Sequence, residues 1–210
     1  MRPPNLTAWG TATGMQRMRG GARSEVWAFQ MNGLSWVARK SQLSDGRLRW
    51  IERLQKVAVA SGLRANPMIR TNSGAISASG WTVHPFVEGH PGQAVDLRRL
   101  LPRIKAMHRR TKAWRDPKCP AVQGHVAVHG DLHPDNIVMA EDGPILLDWD
   151  EARIDDPSVD IAPILEPNGP LHLSFEVRAC WRAEPQRARD LARRLGMFGY
   201  KTREALDLTR

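Results

Sequence analysis

The feature that most constrains this chain is the order in which its hydrophobic periods change. The first 40 residues read as strands and turns, with SEVWAFQM and LSWVARKS joined across Asn32-Gly33. Two β-rich runs separated by Asn-Gly form a hairpin, because both turn residues must adopt positive φ. Leu48, Ile51, Leu54, Val57 and Ala58 then recur at helical spacing, with Ser44-Asp45 placed to cap the helix and Gly62 to stop it. PMIRTNSG and AISASGWTVHPF read as further strands, the second ending at Pro85. Helical period returns over 95–114, where Pro102 is expected to part a short helix from a second one. Residues 126–128 are a short apolar strand, and Ile137–Met139 with Ile145–Leu147 form a second hairpin. The C-terminal third reads as helices broken at Pro163, Pro167, Pro170 and Pro185. Strands first and helices later predict an α+β fold of two lobes.

Charge is distributed unevenly along this order. Residues 1–120 carry 21 Lys and Arg against 6 Asp and Glu, whereas residues 121–160 carry one Arg against 10 acids. A cation site within the acidic stretch and an anionic ligand facing the basic half follow, which together suggest a metal–nucleotide complex. Nucleic acid ranks last among the partners, since a basic half alone explains nothing in 121–160 and lacks interleaved aromatic platforms. No apolar run is long enough to span a membrane, and the start, MRPPNLTAWG, has no apolar core of a secretory signal. Cys119 and Cys180 are too far apart for a disulfide framework and read as ordinary thiols. A cytoplasmic location is therefore expected.

The chemistry is concentrated in Val128-His129-Gly130-Asp131-Leu132-His133-Pro134-Asp135-Asn136 and, beyond it, Ile145-Leu146-Leu147-Asp148-Trp149-Asp150. Phosphoryl transfer from a nucleotide needs an acceptor beside the incoming hydroxyl and oxygen ligands for the magnesium that bridges the phosphates. Asp131 can supply the first, and Asn136 with Asp148 the second. Apolar residues bracket both motifs, so their acids sit at strand ends and not along a solvated face.

On these residues the sequence resembles the aminoglycoside phosphotransferase and choline kinase-like family, small-molecule kinases with a protein-kinase-like fold. HGDLHPDN matches the family's catalytic-loop pattern, and LLDWDEARIDDPSVDIA resembles the segment carrying its metal-binding aspartate. The resemblance implies one kinase-like domain, with an N-terminal nucleotide-binding lobe over residues 1–87 and a C-terminal catalytic lobe over 88–210. It implies Asp131 as catalytic base, Asn136 and Asp148 as magnesium ligands, and Asp160 as a buried brace of the catalytic loop. His129 and His133 would position that loop, with Asp150 in an indirect role. In the first lobe the Arg19–Ser24 stretch, through Gly21 and Ser24, would cover the phosphates. Lys40 would hold them, with Arg39 as its rival because strand alternation turns only one of the two inward. Glu52 would pair with that cation, and the backbone of Phe86 or Val87 would meet the purine edge. Trp27, Trp36, Trp81 and Trp149 read as packing.

The implied activity is transfer of the γ-phosphate of Mg-ATP, or of GTP, to a hydroxyl of a small molecule. The alternative is a catalytically silent nucleotide-binding regulator with a protein partner. About 50 residues follow the last motif, fewer than in most such kinases. Their basic balance does not favour a polycationic acceptor, and an anionic or neutral hydroxyl compound fits at least as well.

Overall fold

The structure, a computed structural model, describes residues 2–18, 25–115, 123–181 and 184–196. Its first layer is a four-stranded antiparallel sheet in the order β1 (Thr13–Arg17), β2 (Val26–Met31), β3 (Leu34–Lys40) and β4 (Trp81–Pro85). Asn32 and Gly33, at φ of 53° and 76°, close the expected β2–β3 hairpin and pair Met31 with Leu34. That register places Trp27, Phe29, Met31 and Ala38 on one face, with Trp81 and Val83 of β4 beside them. Leu6 and Trp9 cover this face, and the Trp9 indole N–H donates to the Ile69 carbonyl at 2.8 Å. Val26, Val37, Arg39, Thr82 and His84 share the opposite face.

Helix α1 (Asp45–Ala60) starts where the sequence predicts, the Ser44 side chain accepting from the Arg47 N–H. Gly62, at φ +85°, ends it. PMIRTNSG does not form a strand: it runs irregularly, held by an isolated bridge from Ile69 to Val83, just after one from Ala65 to Leu146. The following expected strand shortens to β4, since Ser79 and Gly80 turn at φ of 52° and 76° just before it.

After β5 (His90–Pro91), α2 (Ala94–Arg110) runs unbroken through Pro102. A proline inside a helix costs about 3 kcal/mol through its missing N–H and its clash with the preceding turn. Leu97, Leu100, Ile104 and Met107 are each no more than 2% exposed on one face of α2. Burying each contributes roughly 1.5–3 kcal/mol, enough to carry the helix past the proline. β6 (Val126–Val128) pairs with β9 (Arg153–Asp155), while β7 (Ile137–Ala140) and β8 (Gly143–Leu146) form the second hairpin, flanked by β5. The chain ends in α3 (Ser158–Leu165), α4 (Pro170–Cys180) and α5 (Pro185–Arg194). Pro167, Pro170 and Pro185 fall at or between helix ends as expected, but Pro163 lies inside α3, where buried Val159, Ala162 and Ile164 outweigh it.

The α+β architecture expected from the sequence is present. Its cores divide the elements unequally. The sheet has its own cluster under Leu6 and Trp9, whereas α1 packs with α2 and the β6–β9 region in the larger core.

Candidate functional site

The site is built where β6 ends. Gly130 takes φ +85°, and a Cβ there would lie 2.4 Å from the Glu151 carbonyl oxygen, so only glycine fits the turn. Asp160 of α3, fully buried, accepts from the backbone N–H groups of His129 and Gly130 and from His108 Nε2, each at 2.9 Å. Burial pushes this carboxyl up, but the hydrogen bond and charge of His108, the charge of His129 and the Gly130 N–H outweigh it and hold it below its usual range. His108 is absent from the sequence reading; no motif marks it, since it lies on α2 far from both acidic segments.

Beyond this brace the loop carries Asp131. Asn136 closes a short helical turn (Pro134–Asn136), and its Nδ2 donates to the Asp131 carboxylate at 2.8 Å and to the Asp131 carbonyl at 2.9 Å. Those bonds leave the Asn136 Oδ1 as an oxygen donor. His133 Nδ1 accepts from the Asp135 N–H, capping the same turn from an exposed position. The loop is stitched to the strand that delivers Asp148 by two contacts with Leu147. Its N–H donates to the Asn136 carbonyl at 2.8 Å, and its carbonyl accepts from His129 Nε2 at 2.9 Å. His129 is fully buried against Trp149, their ring centroids 4.5 Å apart. Trp149, 3% exposed, is an anchor and leaves the flanking carboxylates at the surface of the core.

Asp148 itself adopts φ +50°, a conformation side chains seldom take outside constrained sites. Its Oδ1 accepts from the Arg39 guanidinium at 2.7 Å, and Asp150 Oδ2 lies 3.1 Å from the same nitrogen. Burial pushes the Asp150 carboxyl up, Arg39 pulls it down, and neighbouring Asp148 pushes it up again, leaving it above its usual range. Arg39, Asp131, Asn136, Asp148 and Asp150 line one cleft of about 790 Å³, whose far wall is formed by α4 and α5. On that wall Arg187 pairs with Glu176 at 2.8 Å and with Glu184 at 3.4 Å.

The structure separates other expected residues from this cleft. Lys40 is exposed and turned to the opposite face, its Nζ 5.9 Å from the Trp81 ring centre, so Arg39 and not Lys40 is the β3 cation facing the acids. The β2 register dictates this: the Lys40 N–H bonds to the Glu25 carbonyl, and Ala38 lies opposite Trp27. Glu52 does not meet either residue; it pairs with Arg70. The Phe86 N–H donates to the Ser35 carbonyl at 3.1 Å, which removes it as a donor to a purine edge. Val87 follows the end of β4 but does not line the cleft. Gly21 and Ser24 lie outside the described residues, as does Cys119; Cys180 is buried.

Among the described residues no three His, Cys, Asp or Glu side chains form a closed metal cage. The Asn136 Oδ1 and the Asp148 carboxylate are hard oxygen donors of the kind magnesium accepts, since it takes one or two protein oxygens and fills its octahedron with phosphate and water. Among the described residues no helix is long and apolar enough to cross a membrane.

A family model described as the phosphotransferase enzyme family matches residues 90–206. Comparison with curated proteins finds no match. Among solved structures, an aminoglycoside phosphotransferase from Alicyclobacillus acidocaldarius is 14% identical over 99% of this chain and 96% of that one, with a TM-score of 0.58. Amicoumacin kinase hAmiN, in complex with AMP-PNP, Ca2+ and Ami, is 13% identical over 92% of this chain and 72% of its own, with a TM-score of 0.57. The GDP and kanamycin complex of APH(2")-IIia is 14% identical over 89% and 93%, with a TM-score of 0.55. At these identities the likeness is one of fold.

Proposed function

The chain belongs to the phosphotransferase enzyme family, and from that premise we propose that it moves the γ-phosphate of a magnesium-bound purine nucleotide, ATP or GTP, to a hydroxyl of a small molecule. Residues 1–87 serve as the nucleotide-binding lobe and 88–210 as the catalytic lobe of one protein-kinase-like domain. The observation that carries the reading is the convergence of Asp131, Asn136, Asp148 and Arg39 on one cleft from two loops and a facing sheet.

In this reading Asp131 accepts the proton of the acceptor hydroxyl as its oxygen bonds to the γ-phosphorus and the bond to the β-phosphate oxygen breaks. Asn136 holds the Asp131 carboxylate in one rotamer through its Nδ2. Asn136 Oδ1 and an Asp148 oxygen would hold magnesium, which when bound neutralises charge on the phosphates. Arg39 releases Asp148 as the nucleotide enters and passes its guanidinium to the phosphates, where planar bidentate donors fit well. Catalysis then rests on alignment and charge stabilisation more than on covalent chemistry. The wall of α4 and α5 bounds the acceptor side. Its carboxylates Glu176 and Glu184 are already engaged by Arg187, which supports a neutral or anionic acceptor.

Calorimetric titration with ATP and GTP, with and without magnesium, tests the reading on the wild type, Asp131→Ala and Asp148→Asn. Magnesium-dependent binding is expected for the wild type and for Asp131→Ala, and is expected to be lost in Asp148→Asn. Asp131→Ala should also lose phosphate transfer to any acceptor the wild type uses, or the intrinsic hydrolysis of the nucleotide. No binding of either nucleotide by the wild type would overturn the proposal and favour a silent regulator.

A further inference from the structure

The basic half of the chain is only partly accounted for by the cleft. One side of the α1–α2 pair carries exposed Arg49, Arg53 and Lys56 on α1, at i, i+4 and i+7, and exposed Arg103 and Arg110 on α2. The two helices lie side by side. The Arg103 side chain lies against Gly62 at the end of α1, while Trp114, just past α2, packs edge-on to Trp50 with ring centres 5.9 Å apart. The five cations therefore form two rows along neighbouring helices and not a scatter over the surface. Arg53 stands 5.9 Å from the centre of the half-buried Trp114 ring, which holds its guanidinium over the seam.

None of the five makes an ion pair with a described carboxylate. The acids of the two helices are used elsewhere: Glu52 on Arg70, Asp45 on the Ser77 hydroxyl, and Asp96 on its own helix start and on Arg99. Five cations in one patch, with no described carboxylate paired to them, repel one another, and that repulsion is relieved when a polyanion binds.

We propose that this face of α1 and α2 docks the phosphate backbone of a nucleic acid, separately from the nucleotide cleft. The composition of the patch favours that occupant over an acidic protein. Protein interfaces form around a desolvated apolar centre, and among the described residues Val59 is the one exposed large apolar side chain beside these cations; Met18, Leu34, Phe86, Leu165 and Leu171 lie on other elements and Val95 at the far end of α2. Four of the five cations are arginines, whose forked donors match phosphate oxygens. Binding through charge to the phosphate backbone would be largely independent of base sequence.

The probe is a random-sequence 20-base-pair DNA duplex, titrated by fluorescence anisotropy against the full chain from low to physiological salt. Five phosphate contacts predict a slope of about −4.5 in log K against log salt concentration. Arg53→Gln/Arg103→Gln/Arg110→Gln should flatten that slope by about 3 and weaken low-salt binding at least tenfold. Arg178→Gln/Arg189→Gln/Arg193→Gln removes the same charge from α4 and α5 and should change the slope little. All the substituted side chains are exposed except Arg178, which is half-buried against the Phe175 ring, and an unchanged thermal midpoint shows that both variants fold. Equal losses in the two variants would reduce the effect to net charge and overturn the proposal. So would wild-type binding that is absent at low salt. Poly-glutamate that displaces the duplex at equal charge concentration would assign the patch to an acidic protein instead, and overturn it equally.

Discussion

Arg39 holds two carboxylates at once, and its neighbour in sequence holds none. A hydrogen bond between charged groups contributes about 1.5–3 kcal/mol, and Arg39 has two such partners at 20% side-chain exposure. If the guanidinium passes those bonds to the phosphates, as proposed, Arg39→Ala should weaken nucleotide binding by one to two orders of magnitude, whereas Lys40→Ala should change it less than about threefold. Titration of both variants with the same nucleotide decides the matter; equal losses would move the phosphate contact back to Lys40. His84 lies on the same face and feels the same arginine. Burial, followed by the Arg39 charge, lowers its pKa from 6.5 to about 4. The unfolded chain then binds a proton near pH 6.5 that the folded chain refuses until about pH 4. Stability from this group is complete above pH 6.5 and is lost as pH falls through that window, up to about 3 kcal/mol in all. Urea midpoints of the wild type and His84→Gln between pH 4 and 7 should differ in slope. Parallel curves would show that His84 takes its proton equally readily folded and unfolded.

Among the elements, the loop that carries Asp131 depends on α3, whose Val159 and Pro163 line the cleft while Asp160 is buried behind the loop. Asp160 gathers His129, Gly130 and His108, so one carboxylate ties β6, α2 and α3 together. Asp160→Asn replaces an acceptor by a donor opposite buried His108, and losing a hydrogen bond to a buried carboxylate costs about 1.5–3 kcal/mol. Chemical denaturation should show a loss near the lower end, because the amide oxygen retains one backbone contact. Turnover should fall at least tenfold with nucleotide affinity nearly kept; intact turnover would mean that the loop holds its shape without the brace. This part of the site was legible in the sequence. Local patterns encode it: glycine at a strained turn, acids at strand ends, Asn136 five residues after Asp131. Helix α1 was legible for the same reason, its cap and apolar stripe being contiguous. What was not legible depends on distant partners. Pro102 and Pro163 signal breaks locally, and only the cores they cross reverse that signal. Glu52 matches its expected place on α1 but meets Arg70, because α1 packs into the larger core and not onto the sheet. The choice of Arg39 over Lys40 was latent in the sequence, since a two-residue Asn32-Gly33 turn fixes the register. Using it required carrying the Trp27, Phe29, Met31 alternation across the hairpin to Ala38.

At the scale of the whole molecule the two cores have different resources. The sheet rests on eight buried side chains, Leu6, Trp9, Trp27, Phe29, Met31, Ala38, Trp81 and Val83, while the larger core has twenty. Two of the eight, Leu6 and Trp9, come from the N-terminal segment, outside any strand, and cover the sheet face turned away from the cleft. Trp9 is 4% exposed, and its indole N–H is satisfied by the Ile69 carbonyl. Trp9→Ala would empty the centre of that cover, and large-to-small substitution of a buried aromatic costs about 3–5 kcal/mol. Only the sheet should suffer this loss, because α1, α2 and β6–β9 keep their own cluster. Arg39 and the roof of the cleft would go with the sheet, whereas Asp131, Asn136 and Asp148 would stay in place. In urea, nucleotide binding by Trp9→Ala should therefore disappear at a lower concentration than the helical circular dichroism signal, the two curves coinciding more closely in the wild type. Coincident transitions in the variant, shifted together, would show that the two cores unfold as one cooperative unit and that α1 transmits the loss from sheet to helices.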